Sequence, residues 1–139
     1  MSQIKSRNYL LILLIAFALP WTLQAQVLSH EIEWSSSKSV NLNSGDTLSF
    51  AVKFVSKTGT VDMIQGDSSI PFFIQSSEGT WSEVTQSGIL TCQVKDESDT
   101  RGVIILGHDS RGLYIIVDMT PGNPEGVNRR FVIDSYQVK

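Results

Sequence analysis

A two-residue hydrophobic repeat limits the fold of this chain more than any other feature. In "DTLSFAVKFVSK", residues Leu48, Phe50, Val52 and Phe54 alternate with small or polar residues, as on a β-strand with one face turned to a core. Similar short runs recur to the end of the chain, separated about every ten residues by turn-forming segments such as "NSGD" and "DSRG". The pattern predicts many short antiparallel strands, arranged as a sandwich or a barrel.

Two apolar runs and one proline carry more specific expectations. The unbroken runs "VIIL" and "YIIV" predict central strands that are covered on both faces. Pro71 in "SIPFFIQS" has no backbone N–H, so it predicts an edge strand or a bulge at that point. The sequence offers no crossover helix, which disfavours a parallel α/β sheet.

The first 25 residues read as a secretory signal peptide. Lys5 and Arg7 precede the apolar run "YLLILLIAFAL", and "WTLQAQ" supplies a cleavage site after Ala25. The apolar run is about half the length that a spanning helix needs, which disfavours an uncleaved membrane anchor. We therefore expect a secreted protein, periplasmic or extracellular, with residues 26–139 forming a single domain and no membrane insertion after cleavage.

Charge and cysteine content narrow the partners of the mature chain. The signal segment holds two of the 11 basic residues and none of the 14 acidic ones, so residues 26–139 carry a net charge of −5. An acidic domain without a basic block is a poor candidate for binding nucleic acid or an anionic membrane. Cys92 is the single cysteine and lies in the alternating segment "GILTCQVK". We expect a buried, inert thiol, with a reactive thiol or an intermolecular bridge as the alternatives.

No motif in the sequence indicates catalysis. His108, Asp109 and Ser110 are adjacent in "GHDSRG", but a catalytic triad needs side chains that point at one another. Adjacent residues at a hairpin tip point in different directions, so this segment predicts a turn between two strands. The histidines and the cysteine show no zinc-ligand spacing either.

Three carboxylates form the candidate metal site. Glu31 and Glu33 lie two apart, on one face of the first strand, and Asp134 lies on the last strand. If the chain ends pair with each other, these groups come close and could hold a calcium ion with loop carbonyls. Carboxylates on solvated strand faces and a glycosidase pair are the alternatives.

Three aromatic residues form the candidate ligand-binding site. Phe72 and Phe73 are adjacent, so one of the two must point away from the core of a strand, and Tyr114 flanks the apolar run "IIV". An exposed ring could stack on a flat ligand.

Several segments between about residues 40 and 139 together resemble galactose-binding-like jelly rolls, in particular carbohydrate-binding modules of the family 4/9 type. These segments are "LNSGDTLSFAVKFVSKTGT", "GTWSEVTQSGILT" and "RRFVIDSYQV". The resemblance implies an antiparallel β-sandwich with a jelly-roll fold. It also implies that Trp81 faces the core and that Asp134 holds a structural calcium with an opening glutamate, Glu31 or Glu33. The opening segment "VLSHEIEW" departs from the Asn-rich opening with Gly-Phe-Glu that these modules usually have.

The leading functional hypothesis is a secreted, non-catalytic domain that binds a polysaccharide or glycan by aromatic stacking and polar contacts. A structural or protein-interaction subunit of an exported assembly is the alternative, because an exposed strand edge could recruit a protein partner by strand addition. Hydrolase activity is a distant third.

Overall fold

The structure, a computed structural model, describes residues 26–123 and 126–139. The predicted signal peptide lies outside these residues. The helix of the described chain is α1 (Gln26–Ser29), and its strands are β1 (Ile32–Asn41), β2 (Thr47–Leu48), β3 (Val52–Lys57), β4 (Thr60–Gln65), β5 (Ser68–Thr80), β6 (Gly88–Lys95), β7 (Arg101–Asp109), β8 (Gly112–Asp118) and β9 (Asn128–Val138). Across these residues, no helix is long and apolar enough to cross a membrane.

The strands form one antiparallel sheet that closes on itself. From β3 to β9, strands that are consecutive in sequence pair with each other, and β9 also pairs with β1. Together with the β1–β3 pairing, this gives an eight-stranded barrel, to which the two-residue β2 adds a short extra ladder on β1. The prediction of an antiparallel all-β fold is confirmed.

The strand order differs from the one predicted for a jelly-roll sandwich. From β3 onward, turns join each strand to its immediate neighbour in the sheet, so each strand is placed beside its predecessor. A jelly roll needs long connections that carry the chain between two sheets. Alternation and turn spacing are common to both arrangements, which is why the sequence pattern alone did not separate them.

The closing ladder joins the two ends of the described chain, as expected. It runs from the Ile32–Val138 pair to the Asn41–Arg129 pair, with two register shifts that leave Ser37 on β1 and Asp134 on β9 without an opposite residue. Such bulges bend a strand and increase its twist. Closure also means that both edges of β1 and β9 are paired. Residues 68–72 of β5 pair with β4 alone and keep one edge unpaired, so recruitment of a partner by strand addition stays a prediction.

The inward-facing positions of the barrel form one continuous apolar core. It includes Phe54, Val61, Leu90, Ile104, Leu106 and Ile115, all at most 1% exposed. The outward-facing residues of the runs "VIIL" and "YIIV", by contrast, are partly exposed at Val103, Ile105 and Ile116. The expectation that these strands are covered on both faces is therefore wrong, because the sheet forms a single layer.

One end of the barrel is filled by aromatic side chains and by α1. The rings of Trp34 and Trp81 stack with their centroids 5.8 Å apart, and both side chains are at most 2% exposed. Val27 and Leu28 of α1 join the same core cluster, and the Leu28 carbonyl accepts a hydrogen bond from Thr58 Oγ1 at 3.2 Å. The core-facing position implied for Trp81 is thus what the structure has.

The Trp34–Ser56 hydrogen bond is a polar contact inside this filled end. Trp34 Nε1 donates to Ser56 Oγ at 2.8 Å, and both residues are buried. Ser56→Ala would leave the indole N–H without a partner, which typically costs about 1–3 kcal/mol. We expect the free energy of unfolding in urea to fall by about that amount.

Ser69→Ala is the matched control, because Ser69 is exposed on β5 and surface substitutions usually change stability by about 0.5 kcal/mol or less. Equal effects of the two substitutions would show that the Trp34–Ser56 contact contributes nothing specific.

Candidate ligand-binding cavity

The end of the barrel opposite α1 contains a cavity of about 330 Å³, which we call the end cavity. Side chains from five strands, and from the residue that follows β8, form most of its apolar wall: Val52, Met63, Phe72, Val117, Met119 and Phe131. Gln65, Asp96 and Arg129 contribute polar groups to the wall. Among the described lining residues, apolar surface therefore predominates, and the polar groups are few.

Unequal strand lengths keep this end open. The β4–β5 hairpin extends past the end of β6, since β5 pairs with β6 only from Phe73 onward and residues 68–72 pair with β4 alone. Pro71 lies in this half-paired stretch, which agrees with the edge position that its missing N–H predicted. A bulge between Ile74 and Ser76 follows at the start of the β5–β6 ladder.

Apolar side chains are also exposed at the opening of the end cavity. Ile70 on β5 is 42% exposed, and Val127, just before β9, is 54% exposed, and both line the cavity. Large side chains of this kind at the mouth of a barrel would contact an apolar ligand as it enters.

Arg129 is the one inward-facing cation in the described wall of the end cavity. It shares the inward face of β9 with Phe131 and Ile133, which are both buried. Its Nε donates to Ser39 Oγ at 3.1 Å, while Nη2 is buried and has no hydrogen-bond partner. Within residues 26–123 and 126–139, no carboxylate forms an ion pair with this guanidinium.

Asp96 lies in the wall of the same cavity, but its carboxylate binds backbone N–H groups of the turn that follows β6. Its Oδ1 accepts hydrogen bonds from the backbone N–H groups of Ser98 at 2.8 Å and Thr100 at 3.0 Å. The carboxylate therefore shapes the β6–β7 connection, and among the described residues it forms no ion pair with Arg129.

The three aromatic residues predicted to bind a ligand have three different environments. Phe72 is 4% exposed and lines the end cavity from inside the barrel, whereas Phe73 is 37% exposed on the outer surface. The prediction that one of the pair must point outward is confirmed. Tyr114 is only 8% exposed, although its neighbours Ile115 and Val117 are the residues that face inward.

Tyr114 is covered by an arginine on the outer surface. The Arg130 guanidinium carbon lies 3.9 Å from the ring centroid, a cation–π contact. Arg130 also binds Asp109 at 3.1 Å, and hydrogen bonds from the Arg111 backbone and from Arg130 lower the pKa of Asp109. Because its outer face is already in contact with Arg130, Tyr114 does not offer a free stacking surface.

The three carboxylates predicted to bind calcium lie near the paired chain ends but do not converge. Glu33 is held by two ammonium groups, Lys139 at 3.1 Å and Lys53 at 3.2 Å. Asp134 is an exposed bulge residue on the same outward side as Val132, and Glu31 is exposed before β1. Over the described residues, no group of three or more acidic, histidine or cysteine side chains could hold a metal ion. Calcium binding stays a prediction, without a site assembled in this arrangement.

The segment "GHDSRG", which contains His108 and Asp109, forms the turn that the sequence predicted. Asp109 pairs with Gly112 at the end of the β7–β8 hairpin, and its Oδ1 accepts from the Arg111 N–H at 2.8 Å. His108 Nδ1 lies 3.0 Å from the Val84 carbonyl oxygen, so the imidazole binds the loop after Trp81 and does not face Asp109.

Arg129 is the functional candidate that the sequence analysis missed. The signal was present in "RRFVIDSYQV": on a strand, Arg129 has the same parity as Phe131 and Ile133. An arginine on the apolar side of an alternating strand predicts a charged group inside the fold. Its position at an open end of a barrel depends on the closure and could not be read from this segment.

The ion pairs of Glu33 predict how its replacement changes acid stability. Hydrogen bonds from Lys139 and then Lys53 lower the pKa of Glu33. The stabilisation is therefore present above the unfolded-state pKa of about 4.3 and is lost as pH falls through the folded-state value. We expect Glu33→Gln to lower the melting temperature at neutral pH, and the difference from wild type to vanish in acid.

Glu78→Gln is the control for this pH series, since Glu78 is exposed on β5 and forms no ion pair within the described residues. A Glu33→Gln effect that stays constant from neutral pH to acid would contradict the role of the ion pairs.

Cys92 is predicted to be unreactive in the folded protein. The side chain is fully buried, and burial raises the pKa of its thiol to about 11. Because the thiolate is the reactive form, an aromatic disulfide reagent at about pH 8 should label Cys92 only after unfolding in urea. Rapid stoichiometric labelling of the folded protein would show that the thiol is accessible.

Comparisons of the chain with protein-family models, with curated proteins and with solved structures found no match.

Proposed function

We propose that this protein is a secreted, non-catalytic binding protein that holds a small, mainly apolar molecule in the end cavity of its barrel. The observation that carries the proposal is the lining of the end cavity, which has a volume of about 330 Å³ and a mainly apolar wall formed by inward-facing side chains. At the other end, tryptophans and α1 fill the core, and a cavity of about 370 Å³ lies beside α1, with His30, Ser82, Glu83 and Thr85 in its lining.

The size and chemistry of the end cavity support this proposal. An eight-stranded barrel has an interior just wide enough to be filled by side chains or to hold one small ligand. Ligand cavities commonly measure about 300–1,000 Å³ and combine an apolar lining with a few polar groups. The end cavity lies at the lower limit of that range, so its ligand is small.

Glycan binding is the second candidate, and its support has narrowed to one residue. Of the three aromatic residues proposed for stacking, only Phe73 presents a ring on the outer surface, because Phe72 is in the core and Tyr114 is covered. Retardation on a polysaccharide affinity gel that disappears in Phe73→Ala would favour this candidate over the end cavity.

A neutral fluorescent probe tests the cavity directly. 1-Aminonaphthalene is mainly apolar, uncharged at neutral pH and small enough for the end cavity, and its fluorescence should rise on binding to the folded protein. Met63→Trp replaces a flexible side chain in the cavity wall with a larger indole ring. We expect it to weaken probe binding by about tenfold or more, since overpacking removes the space that the probe needs.

Ile64→Trp is the matched control, because Ile64 is the next residue on β4 and faces outward. It adds the same ring outside the barrel, so probe binding should stay within about twofold of wild type. Equal loss in both variants, or no probe binding by the wild type, would overturn the proposal.

A further inference from the structure

We infer that the end cavity selects a single-chain carboxylic acid, whose carboxylate binds Arg129 and whose hydrocarbon chain lies against the apolar wall. The inference rests on the proposed function of the end cavity and identifies the class of ligand that it would hold.

The first step of the argument is the incomplete pairing of Arg129. A guanidinium has five N–H donors, and a buried donor without an acceptor is costly. Here Nε binds Ser39 Oγ at 3.1 Å and Nη2 is buried with no partner. An anionic ligand group would supply the missing acceptors and offset that cost.

The second step is the shape of the missing partner. The planar guanidinium matches a carboxylate through two parallel N–H···O bonds. Ser39 is 1% exposed and accepts from Nε, so it holds one edge of the group in place. Because Nη2 is buried, a ligand carboxylate would bind it only after a change in the Arg129 side-chain rotamer, and such changes are common on binding.

The third step is the remaining wall. Val117 lies opposite Arg129 on β8, and Phe131 follows it on the inward face of β9. A ligand whose charged group meets Arg129 would therefore place most of its other atoms against apolar side chains, and Gln65 and the turn residue Asp96 are the polar groups in the rest of the described wall. Ile70 and Val127 extend this apolar surface to the opening.

The volume limits the length of the chain. A water molecule occupies about 30 Å³ in the liquid, so a cavity of about 330 Å³ holds roughly eleven atoms of that size. Octanoate fits this limit, with its carboxylate at Arg129. Octanamide has the same size and shape without the charge, which makes it the matched neutral ligand.

The experiment measures displacement of 1-aminonaphthalene by octanoate and by octanamide at neutral pH. Hydrogen bonds to charged groups are stronger than neutral ones, so we expect wild type to prefer octanoate by about tenfold or more. Arg129→Gln should remove that preference by weakening the binding of octanoate, while the affinity for octanamide stays within about twofold of the wild-type value.

Arg130→Gln is the control, because Arg130 is adjacent in sequence but lies over Tyr114 on the outer surface. It should keep the wild-type preference. If Arg129→Gln fails to fold, the test uses the wild-type protein over a range of acidic pH in which it remains folded. The preference for octanoate over octanamide should decline there, because octanoate loses its charge when it is protonated.

The outcomes separate this inference from the function on which it rests. Equal binding of octanoate and octanamide by wild type, or an equal loss of both in Arg129→Gln, would overturn the role of Arg129 and leave the cavity as a binding site. Failure of the neutral probe and of both ligands to bind would instead overturn the proposed function.

Discussion

The pairing of β1 with β9 is the constraint on which the rest of the structure depends. It converts a row of neighbouring hairpins into a closed sheet, which separates an inside from an outside. Without it, two long strand edges would be unpaired and the apolar faces of the strands would need a second layer to cover them. The two bulges in this ladder, at Ser37 and Asp134, adjust its register as the sheet closes.

Closure creates two barrel ends, and the side chains available at each end make them different. Trp34 and Trp81 are large enough to fill the end next to α1, and the Ser56 hydroxyl satisfies the Trp34 indole N–H. At the other end, β6 stops before the β4–β5 hairpin does, and the wall combines the rings of Phe72 and Phe131 with smaller or more flexible side chains such as Val52 and Met119. The end cavity follows from that difference in volume and strand length.

The polar groups inside the barrel divide in the same way. Near the end next to α1, Ser56 Oγ accepts the hydrogen bond of the Trp34 indole N–H, and such buried polar contacts favour one arrangement of the core. At the open end, Ser39 satisfies part of Arg129, and the remaining donors include a buried Nη2 without a partner. Buried polar groups are normally hydrogen-bonded, so an exception beside a cavity is where a ligand group would be expected.

Local sequence determined the elements of this protein, and the tertiary structure decided what they enclose. Alternation, turn residues and hairpin chemistry predicted the antiparallel strands, the buried Cys92 and the outward position of one of Phe72 and Phe73, because these features depend on neighbours along the chain. Other features depend on which strands meet. These are the choice of a barrel over a sandwich, the contact of Arg130 with Tyr114, the ion pairs of Glu33 with two lysines, and the place of Arg129 at an open end. Those contacts join residues far apart in sequence, and no local pattern specifies them.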